Sequence, residues 1–165
     1  MDENCSGPDF AFVSFSSDSY IKMKYRKSLF IVTYAKTKTG IKYLILKRKL
    51  HWVGWEFPKG GRRFYETKKR TAKRELKEET GLNAVKIKKF NFSGEFKYDK
   101  KYPDRKGFIG QSYSLYSAEV KKGKVELDNR EHSNYKWLNF KDAVKKIKWE
   151  NQRKCLKVVN DWLGE

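Results

Sequence analysis

Cysteine is nearly absent from this sequence: among 165 residues only Cys5 and Cys155 occur. Two thiols so far apart supply neither a disulfide framework nor a cysteine metal cluster, and a reducing, cytoplasmic setting is expected. Long apolar runs are missing as well, so no segment has the length of a transmembrane helix. The amino-terminal Met1-Asp2-Glu3-Asn4 is acidic and lacks the basic and apolar regions of a secretory signal. Nothing repeats internally and no stretch is of low complexity. Acidic side chains are scarce beside basic ones, 20 against 39, for a formal net charge of +19. Such a field attracts polyanions such as RNA in a salt-dependent way. Lysine dominates the excess, a bias that composition alone also produces, so charge serves only as support.

The residues that are present describe a folded chain. Hydrophobic residues make up 38% and aromatics 16%, enough for a packed core. The length fits one domain over 1–165, with residues 1–9 loose around Gly7-Pro8. Phe10–Phe15 reads as a short strand. Ser28–Ala35 and Ile41–Arg48, rich in β-branched and aromatic residues, flank Thr37-Lys38-Thr39-Gly40 and predict a hairpin. Trp52–Phe57 is expected to be extended, and Pro58-Lys59-Gly60-Gly61 to form a loop. Thr67–Thr80 is a strong helix pattern, ending at Gly81 where a left-handed cap belongs. Strand-like runs follow at Ala84–Phe92, Gly110–Val120 and Tyr135–Leu138. Two helical pieces close the chain, Lys141–Ile147 and Asn151–Leu163, the second with Cys155, Val158, Val159 and Trp162 on one face. This mixture predicts an α+β sandwich.

Chemistry concentrates on the central helix. Glu75, Glu78 and Glu79 stand at i, i+3 and i+4, so their carboxylates share a face on which like charges repel. A hard divalent cation neutralises such a cluster while keeping coordination sites for water and substrate phosphates. Taken alone, three glutamates more often mark a solvated acidic face. The neighbouring Pro58-Lys59-Gly60-Gly61 changes that balance, because glycine backbone amides can approach phosphate oxygens and Lys59 adds a point charge.

From Gly60, five residues lead to Glu66 and seven more to Arg74-Glu75-Leu76-Lys77-Glu78-Glu79-Thr80-Gly81-Leu82. These nine constrained positions resemble the signature box of the Nudix hydrolases. The resemblance implies an α/β/α sandwich with a mixed sheet, a loop–helix–loop site, and Mg²⁺ or Mn²⁺ as cofactor. By position it implies Glu75, Glu78 and Glu79 as metal ligands with Gly60 beside them. Glu66 and Arg74 would be the ion pair that braces the loop, and Ala72 and Leu76 would face the core. A carboxylate outside the helix often completes such sites, and Glu131 is the candidate. His132 beside it suits base chemistry by type, though a lone histidine is more often structural.

Flanking segments extend the resemblance from Tyr25 to the last helix. Tyr25-Arg26, Trp55-Glu56-Phe57-Pro58-Lys59-Gly60-Gly61 and Ile109-Gly110-Gln111 resemble RNA pyrophosphohydrolases and plant-type diadenosine tetraphosphate hydrolases. Glu131-His132 through Tyr135-Lys136-Trp137-Leu138 resembles the animal diadenosine tetraphosphate hydrolases. Both substrates require cations, for which Arg26, Lys47, Lys59 and the Lys97–Lys106 segment are candidates, with Gly60 and Gly61 as further substrate-binding positions. Both also require an aromatic platform, from Tyr98, Tyr113 or Tyr135, and Gln111 to read a base edge. The loop Arg62-Arg63-Phe64-Tyr65 and the following Lys68, Lys69 and Arg70 depart from the family pattern and point to a polyanion at this rim. The expected activity is hydrolysis of a phosphoanhydride bond in a 5′-polyphosphorylated RNA end or in diadenosine tetraphosphate. Diphosphoinositol polyphosphates, nucleoside triphosphates, and a non-catalytic nucleotide- or RNA-binding role are the alternatives.

Overall fold

A computed structural model describes residues 24–164; the expected strand at 10–15, the segment 1–9 and Cys5 lie outside them. The central strand β1 (Lys24–Thr37) explains the layers. Leu29, Ile31 and Ala35 alternate with Phe30, Val32 and Tyr34, and all six are buried. Successive strand side chains point to opposite faces, so an apolar residue at every position requires cover on both sides. Helix α1 (Lys68–Thr80) covers the first face with Ala72 and Leu76. Helices α2 (Phe140–Lys146) and α3 (Glu150–Leu163) cover the second with Ala143, Cys155, Leu156 and Val159. Val158 packs partly against this core, and Trp162 stays near the surface, edge-on to Phe90 at 5.4 Å. The result is the α/β/α sandwich expected from the sequence.

The sheet is mixed. β2 (Gly40–Arg48) folds back on β1 through a turn at Lys38-Thr39, pairing Thr37 with Gly40 and Thr33 with Leu44. β6 (Phe108–Val120) runs parallel to β1, and β5 (Ala84–Lys97) runs antiparallel to β6. Along its far half β2 leaves β1 and pairs instead with β3 (Gly54–Glu56), while β7 (His132–Leu138) pairs with β2 from Tyr43 to Arg48.

That divergence corrects one expectation. Lys59–Gly61 is not a loop but a strand, β4, which pairs Ser28 with Gly61 and Phe30 with Lys59. Where β2 peels away, the β1 edge exposes unpaired backbone groups, and the neighbouring segment satisfies them. The Ile31 N–H extends the ladder by donating to the Pro58 carbonyl at 3.0 Å. The site-bearing segment is thereby fixed in the sheet, directly before α1.

Helix α1 begins at an N-cap, the Thr67 side chain accepting the Arg70 N–H at 3.3 Å, and ends at Gly81 in the left-handed region, φ 72°. Among the described residues no helix is long and apolar enough to cross a membrane. Because Leu76 is wholly buried against Leu29, Ile31 and Ala72, Leu76→Ala should destabilise the chain by about 2–5 kcal/mol in urea unfolding. A loss below about 1 kcal/mol would show that this face is not packed as described.

Candidate active site

The space left between β4, α1 and the diverging end of β2 is a cleft of about 230 Å³. It is lined by Arg26, Arg48, Lys59, Gly60, Gly61, Glu75, Glu78, Glu79, Gln111 and Glu131, with His51 and Arg105 at its other side. Its glycines have a spatial purpose. A Cβ at Gly60 would collide with the Glu75 carboxylate, and one at Gly61 with the Arg26 guanidinium. Their missing side chains therefore admit an acid and a base of the site, rather than simply baring amides to a phosphate.

Arg74 organises the acidic face of α1. Its Nε lies 2.6 Å from Glu66 Oε1 and its Nη2 2.8 Å from Glu66 Oε2, a bidentate pair that ties the turn before the helix to the helix itself. Its Nη1 reaches Glu75 at 2.7 Å and Glu78 at 2.9 Å, and its Nη2 also donates to the Gly61 carbonyl at 3.1 Å. The Arg74 hydrogen bonds hold the Glu66 carboxyl down to about 2, well below the ordinary 4.5.

Behind the helix lies a buried charge network. Glu56 is wholly buried and meets the Arg48 guanidinium at 3.0 Å, the Lys59 ammonium, and His132 Nε2 at 3.4 Å. Burial pushes its carboxyl upward, but Lys59, the His132 hydrogen bond and Arg48 outweigh that and bring it to about 2. The same Arg48 Nη1 holds Glu131 at 3.0 Å. His132 is fully buried and its Nδ1 has no hydrogen-bond partner.

Glu79 is in the opposite condition. It is 4% exposed, and among the described residues its carboxylate accepts only the Lys59 backbone N–H, at 3.2 Å. Burial first, and then the charges of Glu56, Glu75 and Glu131, raise its carboxyl well above 4.5; Arg48 only moderates the effect. Burial also raises Glu75, against the pull of Arg74. A buried carboxylate facing three others without a cationic side chain in contact, in a cleft of hard oxygen donors, fits a divalent cation. Among the described residues no three such side chains converge as a ligand set, and Arg74 hydrogen-bonds two of the candidates, Glu75 and Glu78.

A second cavity of about 450 Å³ adjoins the cleft and shares His51, Lys59, Arg105 and Gln111 with it. Its walls include two aromatic pairs, Trp52 with Trp149 at 5.4 Å and Tyr98 with Tyr102 at 5.5 Å. Tyr98 hydroxyl reaches Gln111 Oε1 at 3.4 Å. His51, in the left-handed region at φ 72°, packs on Tyr102 at 4.5 Å with its Nε2 3.2 Å from Asp104 Oδ2.

Of the residues expected from the sequence, the cleft brings together Arg26, Lys59, Gly60, Gly61, Glu75, Glu78, Glu79, Gln111 and Glu131, and the second cavity adds Tyr98. Three expectations are corrected. Tyr113 is a core residue, 7% exposed and stacked on Phe30 at 4.2 Å, and lines neither cavity. Tyr135, opposite Leu46, packs against the Leu44–Leu46–Val125 cluster. Lys47 is held between Trp55 and Asn134 on β2 and, like Tyr135, lines neither cavity. Sequence reasoning missed Arg48, His51, Trp52 and Trp149, whereas Arg105 falls within the Lys97–Lys106 segment expected to supply cations. Arg48 and Glu56 did carry a signal, since opposite charges at the ends of two strands must pair when buried.

The sandwich and its carboxylate-lined cleft define a class of fold with one site at the split of the sheet. The chain belongs to the NUDIX domain family, which it matches over residues 24–159, and is a Nudix hydrolase. It is 30% identical over 132 residues to the RNA pyrophosphohydrolase of Nitratiruptor sp., covering 73% of this chain and 82% of that one. In fold it is similar to the C. elegans Ap4A hydrolase, with a TM-score of 0.69, 23% identity, and 84% of this chain and 98% of that one covered. It is similar also to the NUDIX domain of Shewanella oneidensis NrtR, solved with ADP ribose, at TM-score 0.70 and 16% identity over 90% and 94% of the two chains.

Two outcomes follow for the metal-free protein. Glu56, lowered to about 2, contributes stability that is present above 4.5 and lost as pH falls toward 2. Glu79, raised, detracts increasingly as pH climbs from 4.5 through its own value. Stability should therefore be greatest in mildly acidic solution, and Glu79→Gln should raise the Tm at neutral pH by a few degrees, whereas a lower Tm would contradict the crowding. Glu56→Gln should instead destabilise by about 3–5 kcal/mol, because the Lys59 ammonium then loses its carboxylate partner and Arg48 keeps only Glu131. Chemical unfolding measures this, and an unchanged midpoint would refute the network.

Proposed function

We infer that this enzyme hydrolyses a phosphoanhydride bond at a 5′-polyphosphorylated RNA end, with Mg²⁺ or Mn²⁺ held at Glu75, Glu78 and Glu79 beside the Gly60 backbone. The observation that supports the reading is Glu79, a buried carboxylate crowded by three others in a cleft that Arg26, Lys59 and Arg105 also line. The metal, when bound, neutralises that charge, polarises the phosphate and acidifies a bound water.

This chain's own residues perform the rest. Arg26, Lys59 and Arg105 line the cleft and bind the polyphosphate oxygens, countering charge that builds during an in-line displacement. The water oxygen attacks phosphorus, the bridging P–O bond breaks, and the leaving phosphate departs with its electron pair. Glu131 is the acceptor for the water proton: Arg48 anchors one of its oxygens at 3.0 Å, while the other faces only Arg130 at 4.0 Å. Arg74 and Glu66 position the helix without touching substrate.

The second cavity receives the first base between its aromatic side chains, with Gln111 at the boundary to read an edge. Its size and aromatic walls also favour a second reading, diadenosine tetraphosphate, in which an adenine takes the same place. The similarity to the RNA pyrophosphohydrolase of Nitratiruptor sp. supports RNA over the dinucleotide.

The test is turnover of short triphosphorylated RNA and of diadenosine tetraphosphate, each with Mg²⁺ or Mn²⁺. Glu79→Gln should lower kcat by about a hundredfold or more while remaining folded. Glu131→Gln should lower kcat with KM little changed. Wild-type turnover in Glu79→Gln, or activity undiminished in a chelator, would refute the metal assignment.

A further inference from the structure

One group of side chains stands at the margin of the cleft and touches it through Arg63, whose Nη2 lies 3.4 Å from Glu78 Oε1. Between β4 and α1 runs Arg62-Arg63-Phe64-Tyr65, in which Phe64 is fully exposed and Tyr65 is 75% exposed. The tip is a braced turn. The Glu66 N–H donates to the Arg63 carbonyl at 3.1 Å, the Arg63 N–H donates to the Glu66 carboxylate at 3.4 Å, and Arg62 Nε donates to the Glu66 carbonyl at 2.7 Å. Glu66 is in turn gripped by Arg74. Two aromatic rings thus stand out from a fixed backbone into water, where they contribute nothing to the core.

Cations flank the rings along the chain. Arg62 and Arg63 precede them, and Lys68, Lys69 and Arg70 fill a first helical turn that contains no acid, although the helix dipole favours one there. An open groove of about 810 Å³ runs beside the turn. Arg26, Lys27, Arg62 and Arg63 line it together with Tyr25 and Phe108, and it reaches Gly61 and Glu75 of the cleft.

We propose that the Phe64–Tyr65 turn and this groove bind single-stranded RNA beyond its 5′ end, the bases stacking on the two rings and the phosphates following the groove's cations. The proposal rests on the reading of the cleft as the place where the 5′ polyphosphate is hydrolysed. Exposed rings beside a cationic track are the arrangement that single-stranded nucleic acid recognises, since every base has a face to stack and every nucleotide a charge to neutralise. An acidic membrane surface would also meet rings and cations. Continuity of the groove with the cleft favours RNA, because it gives a strand entering the site a path outward. A dinucleoside polyphosphate is served by the cleft and the aromatic cavity alone.

The test separates binding from turnover. The full chain and its Phe64→Ala/Tyr65→Ala variant, altered only at exposed positions, are titrated with a fluorescent 5′-hydroxyl RNA of roughly a dozen nucleotides. The variant should bind about tenfold or more weakly, while its turnover of diadenosine tetraphosphate matches wild type. Equal RNA affinity in the two proteins overturns the proposal. So does a variant that keeps its RNA affinity but loses binding to phosphatidylserine vesicles, since the turn would then be a membrane element. A wild-type chain that binds RNA through the rings, yet hydrolyses neither triphosphorylated RNA nor diadenosine tetraphosphate, upholds the platform and refutes the hydrolase reading.

Discussion

The whole site depends on keeping four carboxylates close together in a poorly hydrated place. Glu56, Glu75 and Glu131 each repel Glu79, and burial removes the solvent that would screen that repulsion. Folding tolerates this because the positive charges are assigned with care. Arg48 and Lys59 neutralise Glu56, Arg48 anchors Glu131, and Arg74 restrains Glu75 and Glu78. Glu79 alone is left with a backbone N–H. The stability forgone at that one position is what makes the cleft attractive to a cation.

The sheet topology serves this arrangement. Because β2 leaves β1 midway, β4 can enter the gap and carry Lys59, Gly60 and Gly61 to the base of α1. The same divergence lets β2 present Arg48 between β3, which bears Glu56, and the Glu131–His132 start of β7. Surface ion pairs such as Glu150–Lys154 and Asp161–Lys157 on α3 contribute little, typically below about 1 kcal/mol. The buried pairs matter because loss of one member strands the other.

Much of this was legible in the chain. The glutamate spacing in 75–79 put the acids on one helical face, Gly81 marked the helix end, and the apolar run in 28–35 announced a strand covered on both sides. Other features depended on tertiary facts. A strand of only three residues with two glycines, Lys59–Gly61, forms because an edge happens to be vacant beside it. Trp52 and Trp149 become partners only when the segment after α2 meets β3, through the Lys148 N–H to the Trp55 carbonyl at 3.2 Å. Tyr113 was readable after all. It alternates with Ser112 and Ser114 and so shares the face of Leu115, which is the core face.

The most direct measurement of the central claim is calorimetric titration of Mn²⁺ into the protein at mildly acidic pH, in two buffers of different ionisation enthalpy. Because Glu79 holds its proton more tightly than an ordinary carboxyl, binding should release protons and the apparent enthalpy should differ between buffers. In Glu79→Gln that difference should shrink and the affinity should fall. Undiminished Mn²⁺ affinity in Glu79→Gln, with the same buffer dependence, would contradict the account.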